Sequence, residues 1–402
     1  MRIGLVTGEY PPMEGGVGAF TEQLARALAM SGHEIHIITS NKARPAEIQR
    51  KLTAIKEPVD LGFARLHPRA GKWRWPDLSV IADIAIRYDL ETVNIQYQAA
   101  AFNMRSPAIN FLPWRLKGFT TTVVTFHDLR VPYLFPKAGG LRERVVRMLT
   151  RQADGCIATN PADDRRLHDW TDRPVRRIPI GSNIDAYDPN HIELAEVRER
   201  LDLKPGDILI GYFGFLSESK GADLLIDSLA MLDERYHLVF IGGQTGDSDQ
   251  DNNQAFVHRL RAQIAHLNLN ERVHWTGFLP SRRVSAHLAA TDLMVMPYRD
   301  GVSLRRGTLM AVLAHGRPLV TTYPEEEIPE LEHGENIWLL SPHDSPALAA
   351  GIAMLMADPE QRNRLRRGAR ELARQFSWDV IAAQTATFYE ELVAAKTRGP
   401  LK

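Results

Sequence analysis

Cysteine is almost missing from this chain: Cys156 stands alone, so no internal disulfide can form and a reducing compartment is expected. It lies in the apolar run Gly155-Cys156-Ile157-Ala158 and reads as a small buried hydrophobe. Long hydrophobic runs are missing too. No stretch approaches the roughly 18 apolar residues of a membrane span, and Ile3-Gly4-Leu5-Val6 after Met1-Arg2 is too short for a signal-peptide core. The chain is therefore expected in the cytoplasm. Net charge is zero, with 49 Lys plus Arg against 49 Asp plus Glu, which removes the overall positive field that gathers nucleic acid. The 14 histidines include no HExxH or comparable spacing. No metal site is inferred, and no cofactor beyond the substrates is expected.

What remains is an ordinary globular composition, 44% hydrophobic and 24% charged. A length of 402 residues suits two domains, each able to bury its own core. Short apolar runs alternate with amphipathic stretches, the sequence form of βα units around parallel sheets. In the first half, strands are predicted at 3–7, 35–39, 92–96, 121–126 and 155–159, with helices at 17–30, 141–152 and 161–170. A second series follows the turn-rich Pro179-Ile180-Gly181-Ser182-Asn183 and the charged stretch 193–200, where the linker is placed. Its strands are predicted at 208–213, 237–241, 273–275, 293–296 and 318–322, with helices at 222–232, 255–267 and 282–290. The polar stretch 244–254 reads as an exposed loop. Helices at 346–356, 359–375 and 378–394 close the chain, the last with Ile381, Ala382, Thr385, Phe388, Tyr389 and Leu392 along one side. The basic run Arg362, Arg364, Arg366, Arg367, Arg370 and Arg374 reads either as a solvated face or as a peripheral contact with acidic lipid. The stretches 73–75 and 111–117, aromatic and basic, are open to the same two readings, as core and surface or as lipid contact.

Four segments could carry chemistry. Gly8-Glu9-Tyr10-Pro11-Pro12-Met13-Glu14-Gly15-Gly16-Val17-Gly18 joins a strand to a helix, and its glycines would let backbone N–H groups approach an anion at the helix start. It is not the G-x-G-x-x-G of dinucleotide enzymes, and a turn needing only backbone freedom fits equally. Thr125-Phe126-His127-Asp128 ends a predicted strand, where doubly wound sheets place ligands. Gly214-Phe215-Leu216-Ser217-Glu218-Ser219-Lys220-Gly221 offers Lys220 beside a helix start as a point charge for a diphosphate. In Asp300-Gly301-Val302-Ser303-Leu304-Arg305-Arg306-Gly307-Thr308-Leu309-Met310, two arginines immediately precede a helix, so guanidinium forks and free N–H groups converge. The same arginines could instead pair with Glu325-Glu326-Glu327.

In order and spacing these motifs resemble glycosyltransferase family four, and the resemblance covers nearly the whole chain. Tyr10-Pro11-Pro12 with Gly15-Gly16, then Ser31-Gly32-His33-Glu34-Ile35-His36, is similar to the family's first βαβ unit; Lys220-Gly221 matches its lysine-glycine pair. Gly277-Phe278-Leu279 resembles its nucleotide-base loop, and Phe376-Ser377-Trp378 the start of its last helix. The resemblance implies a GT-B fold: two Rossmann-like doubly wound domains facing a cleft, 1–190 for the acceptor and 200–376 for the nucleotide sugar, with helix 378–396 crossing back to the first. It implies a retaining, metal-free transfer of sugar from a nucleotide diphosphate donor to an acceptor. His127, Lys220, Arg305 and Arg306 would be catalytic; Gly15, Gly16, Asp128, Gly214, Phe278, Ser303, Gly307, Thr308 and Leu309 would contact substrate. Two departures stand out. Phe215 takes the place of a usual arginine, and Ser303 and Ala311 replace a pair of glutamates, the first of which commonly holds the ribose. A nucleotide-sugar epimerase of similar fold and an inactive nucleotide-sugar-binding homologue are the alternatives.

Overall fold

The computed structural model describes residues 1–13, 15–44, 57–129, 139–243 and 250–398. Contacts divide the chain into two units, Met1–Gly181 with Trp378–Lys402 and Ser182–Ser377.

In the first unit, strands β1 (Arg2–Thr7), β2 (Glu34–Ser40), β3 (Val59–Asp60), β4 (Arg65–Ala70), β5 (Thr92–Tyr97), β6 (Thr121–Phe126), β7 (Gly155–Ala158) and β8 (Val175–Arg177) form one sheet. Among the described residues the strand order is β3-β4-β2-β1-β5-β6-β7-β8, parallel except for β3 against β4. The helices are α1 (Gly16–Met30), α2 (Trp75–Arg87), α3 (Leu112–Leu116), α4 (Gly139–Gln152) and α5 (Pro161–Trp170). β5 and β6 are buried along their whole length, as strands covered by helices on both faces are, and their polar residues are buried too, Asn94 donating to Thr125 Oγ1 at 2.9 Å.

The second unit holds α6 (His191–Arg200), β9 (Ile208–Phe213), α7 (Ala222–Ala230), β10 (Tyr236–Ile241), α8 (Gln250–His266), β11 (Val273–Trp275) and α9 (Ser281–Ala290). It continues with β12 (Leu293–Met296), α10 (Gly307–Ala314), β13 (Leu319–Thr322), β14 (Trp338–Leu340), α11 (Ser345–Ala357) and α12 (Pro359–Arg374). Its parallel sheet runs β11-β10-β9-β12-β13-β14 among the described residues. Strand order reverses between β1 and β5 in one unit and between β9 and β12 in the other. Such reversals open a crevice at the carboxyl ends of the strands, where ligands of doubly wound sheets bind.

The final helix, α13 (Trp378–Arg398), belongs to the first unit and packs on α1 and β6. Its buried side carries Ile381, Ala382, Thr385, Phe388, Tyr389 and Leu392, the stripe visible in the sequence. Gly155 makes room for it: a Cβ there would lie 2.6 Å from Leu392 Cδ1 and 2.9 Å from Phe388 Cζ. At the rim, Lys396 Nζ donates to Thr120 O at 2.9 Å and meets the Asp154 carboxylate at 2.8 Å. Among the described residues no helix is long and apolar enough to cross a membrane.

Several expectations change. The charged stretch taken as linker is α6, capped by Asn190, whose Oδ1 accepts from the N–H groups of Ile192 and Glu193. Arg198 ties it to Ala290 O and Asp292, at 3.2 and 3.1 Å, so the second unit starts at Ser182. Of the polar stretch 244–254, residues 250–254 open α8, and 244–249 lie outside the described residues, as does Glu14. Half of the basic run on α12 is spent within the unit: Arg362 caps the last carbonyls of α11, Leu355 O and Met356 O, at 2.6 Å, while Arg364 pairs with Glu335 and Arg374 with Glu371.

Because α13 completes the first core, Phe388→Ala is expected to destabilise that unit by about 3–5 kcal/mol, the range for a buried aromatic truncated to a methyl. Urea unfolding followed by tryptophan fluorescence measures it; an unshifted transition would detach α13 from the core.

Candidate active site

The reversal between β9 and β12 brings together the loops that follow these strands, residues 214–221 and 297–306. Their approach is backbone on backbone. Gly221 adopts the left-handed region at φ +69, and a Cβ on it would lie 2.0 Å from Pro297 O. Only glycine permits that contact without displacement. Two further ties hold the loops: Arg299 N donates to Ser219 O at 2.8 Å, and the Arg299 guanidinium pairs with Asp223 at the start of α7.

Lys220, the residue before Gly221, is half-buried here and donates through Nζ to Phe215 O at 2.7 Å. Burial first, then the Arg306 charge, pushes its ammonium down to about 8, with Asp300 acting in the opposite sense. Arg306 lies over the buried Tyr298 ring, its guanidinium carbon 3.9 Å from the centroid, and is paired with Asp300. Its Nε donor is buried without a hydrogen-bond partner. The expected alternative of a pairing between this arginine and the Glu325–Glu327 run is thus replaced by Asp300, six residues upstream.

Arg306 also precedes α10, whose N-cap position makes no side-chain hydrogen bond. The positive end of this helix therefore stays without a protein carboxylate or hydroxyl cap. Gly214, at φ +122, faces it so closely that a Cβ would come within 2.8 Å of Thr308 Cγ2. Thr308 Oγ1 lies 3.4 Å from the Tyr298 hydroxyl. Lys220, Arg306, Gly214, Gly307 and Thr308 are thus brought to one crevice. Ser303 Oγ accepts from Arg305 N at 3.3 Å. Leu309 and Ala311 are fully buried in α10, so Leu309 is a core residue rather than a wall of the crevice. Phe278 stands exposed two strands away, beyond the β10–β11 pair, where Gly242 and Gly277 form a bridge.

The glycine-rich loop of the first unit is a different matter. The expected anion position at the start of α1 is occupied by the protein's own Glu9, whose Oε1 accepts from Val17 N at 3.0 Å and Gly18 N at 3.3 Å. Gly15 serves this contact, since a Cβ there would fall 2.0 Å from the same oxygen. Gly16 meets no neighbour. Glu9 was missed because its partner amides lie eight and nine residues on. His127, at the end of β6, is held by Gln96 Oε1 at 3.0 Å and by Phe20 edge-on at 4.7 Å. Burial lowers it to about 3, so it is neutral at physiological pH. Asp128 follows it, half-buried.

Two doubly wound units of this topology, with cations at a strand-order reversal, define the class of GT-B proteins. The chain belongs to glycosyltransferase family four: residues 195–372 match the family model "Glycosyl transferases group 1" and residues 14–186 match "Glycosyltransferase Family 4". It is a glycosyltransferase. D-inositol 3-phosphate glycosyltransferase of Xylanimonas cellulosilytica is 26% identical over 97% of this chain and 96% of its own. Among solved structures, sucrose-phosphate synthase from Thermosynechococcus elongatus superposes with a TM-score of 0.74 at 21% identity, covering 98% of this chain and 99% of that one. The Anabaena protein Alr3699/HepE in complex with UDP-glucose gives 0.73 at 20% identity, with 97% and 100% covered. These relatives do not favour the epimerase or the inactive homologue.

Gly221→Ala is expected to cost at least about 1–3 kcal/mol through left-handed strain and the clash with Pro297 O. Gly277→Ala, at φ +64 but with open space around its Cβ, should cost only about 1 kcal/mol. Thermal or urea unfolding of both variants compares them, and equal costs would deny the loop contact its importance.

Proposed function

We propose that the second unit binds a nucleotide diphosphate sugar with its diphosphate against Lys220, Arg306 and the start of α10, and that the sugar passes with retention to an acceptor hydroxyl served by the first unit. The observation that carries this reading is the conjunction of two mutually repelling cations with an uncapped helix N-terminus at the β9–β12 reversal. An anion of two charges relieves both. The UDP-glucose complex of the Anabaena protein supports a nucleotide-sugar donor.

As the glycosidic bond breaks, negative charge grows on the leaving diphosphate. A fixed guanidinium, an ammonium and backbone N–H groups stabilise that charge without having to reorganise. The stacking on Tyr298 and the pairing with Asp300 fix the plane of Arg306, so its remaining donors are preorganised. The proposal gives this role to side chains and backbone, and assigns no metal to it. Arg305 adds charge on the same loop. Gly214 allows the phosphates to approach Gly307 and Thr308. Neutral His127 is proposed to hydrogen-bond the acceptor or the transferred sugar, with Asp128 beside it.

Lys220→Ala and Arg306→Ala are each expected to lower kcat by about 10²-fold or more, the scale for removing one preorganised charge-stabilising group. Transfer at the wild-type rate in both variants would refute the assignment. A thermal-shift screen with uridine, guanosine and adenosine diphosphates selects the donor for the assay, since a ligand of the native state raises Tm.

The pH dependence has a definite sign. Lys220 is charged below about 8 and neutral above it, so diphosphate affinity is expected to be full at neutral pH and to fall as pH rises through about 8. Lys220→Arg, whose guanidinium stays protonated there, should abolish that fall. Calorimetric titration with uridine diphosphate from neutral to alkaline pH reads both, and an identical decline in the two proteins would place the titrating group elsewhere.

A further inference from the structure

From Thr92 to His127 the chain contains no aspartate or glutamate, although 49 acids are spread over its 402 residues. The same segment holds Arg105, Arg115 and Lys117, and it carries bulky aromatics into solvent. Trp114 is 62% exposed and Phe119 59%. Trp75, at the start of α2, is 52% exposed and lies 5.0 Å from the ring of Phe111. This exposure is built in. Leu112, Pro113 and Leu116 bury one side of α3, which leaves Trp114 and Arg115 on the other, while Gly118 at φ +89 turns the chain so that Phe119 N returns to Leu116 O at 3.0 Å.

Directly upstream, the same run of chain forms a wall of a cavity of about 240 Å³. Tyr97, Phe102, Met104, Ile109 and Val145 make its wall mostly apolar, Asn103, Arg105 and Ser106 also line it, and Asn110 adds a buried amide. Asn110 is 6% exposed, its Nδ2 donates to Pro107 O at 3.2 Å, and its Oδ1 has no partner. The 3₁₀ turn Ala108–Phe111 runs from this wall straight into α3, so one run of chain supplies both the cavity wall and the exposed Trp114.

A mostly apolar wall with a single cation in it suits an amphipathic molecule, a hydrocarbon chain or ring with a polar end, better than a bare sugar phosphate. Exposed Trp and Phe interleaved with cations, in a 92–127 segment free of acids and with Asp77 beside Trp75 engaged by the backbone amides of residues 71 and 74, are complementary to the interfacial layer of an anionic bilayer. A protein partner would ordinarily meet a rim of both charge signs. We propose that the first unit docks on an anionic lipid surface through Trp75, Trp114, Phe119, Arg115 and Lys117, and that the cavity receives the apolar part of an acceptor drawn from that surface. This names the acceptor class for the transfer proposed above and rests on that reading.

The test uses the full chain and vesicles of phosphatidylcholine, with and without phosphatidylglycerol, in a sedimentation assay. Binding is expected only to vesicles containing phosphatidylglycerol and should weaken with salt. Trp114→Ser with Phe119→Ser should reduce it about tenfold or more, as lost aromatic burial implies. Removing Arg115 or Lys117 should reduce it roughly fivefold each. Octyl glucoside below its micellar concentration probes the cavity, with a shift of the Met104 methyl signal expected in the wild type and lost in Val145→Trp. Uridine diphosphate affinity serves as the folding control and should be unchanged in all variants. Equal sedimentation of wild type and the aromatic double variant, or equal binding to neutral vesicles, would overturn the docking surface. An unmoved Met104 signal would overturn the cavity's role. Failure of the wild type to bind any nucleoside diphosphate would instead sink the donor proposal, whatever the vesicles show.

Discussion

The approach of Gly221 to the carbonyl of Pro297 is the contact on which the candidate site depends. Parallel strands β9 and β12 are neighbours only because the chain order reverses between them, and the reversal alone leaves two loops emerging from adjacent strand ends. What joins them is a backbone contact that admits no side chain, reinforced by Arg299 N on Ser219 O and by the Arg299–Asp223 pair. Lys220 precedes the glycine and Arg306 closes the opposing loop. The contact keeps the two loops together, and the charge of Arg306 acting on Lys220 is what gives an anion its advantage there.

The two units repeat one plan, yet they treat their helix N-termini in opposite ways. At α1 the amides of Val17 and Gly18 are satisfied by Glu9, an anion carried by the chain itself. At α10 the N-cap residue is Arg306, whose side chain makes no cap hydrogen bond and brings a guanidinium instead. A helix end already neutralised has little left to offer a phosphate, while one flanked by cations has more than its own partial charge. The division of labour between the halves therefore lies in capping and not in topology. The plan itself is repeated down to detail: His36 and His67 stack across β2 and β4 with nitrogens 3.0 Å apart, and His237 and His274 do the same across β10 and β11 at 3.2 Å. In both units the second histidine lies two residues beyond the register partner of the first.

This repetition also explains what sequence reading reaches and what it misses. Strands buried on both faces announce themselves as apolar runs, and β9 and β12 begin and end where such runs do. β4 reads Arg-Leu-His-Pro-Arg-Ala and looks polar, because nothing local shows that His67 is paired with His36 and held neutral by burial near 3. The α2 pattern of Leu78, Ile81, Ala82 and Ala85 was present but obscured by the preceding Trp-Pro, and its cap, Asp77, works through backbone amides at 71 and 74. In the site, chain order made Lys220 and Arg306 visible as types. Their partners, Tyr298 beneath and Asp300 beside, required the loop's actual path, and the sealing of α1 by Glu9 required a contact that no helical or strand period predicts.

The departures from the family pattern follow from the same electrostatics. Ser303 has its oxygen committed to Arg305 N, and Ala311 is sealed inside α10, so neither position offers the ribose a carboxylate. Two glutamates at these positions would have offset Lys220, Arg305 and Arg306; Asp300, paired with Arg306, offsets part of that charge. On the proposed reading, the donor is then held chiefly by its phosphates. Such a grip acts through charge more than through directional bonds to the sugar ring, which makes it stronger toward an accumulating leaving-group charge than toward the ground-state ester. Losing the carboxylate that would hold the ribose removes binding common to ground and transition states, and so costs affinity while leaving intact the charge stabilisation that raises kcat.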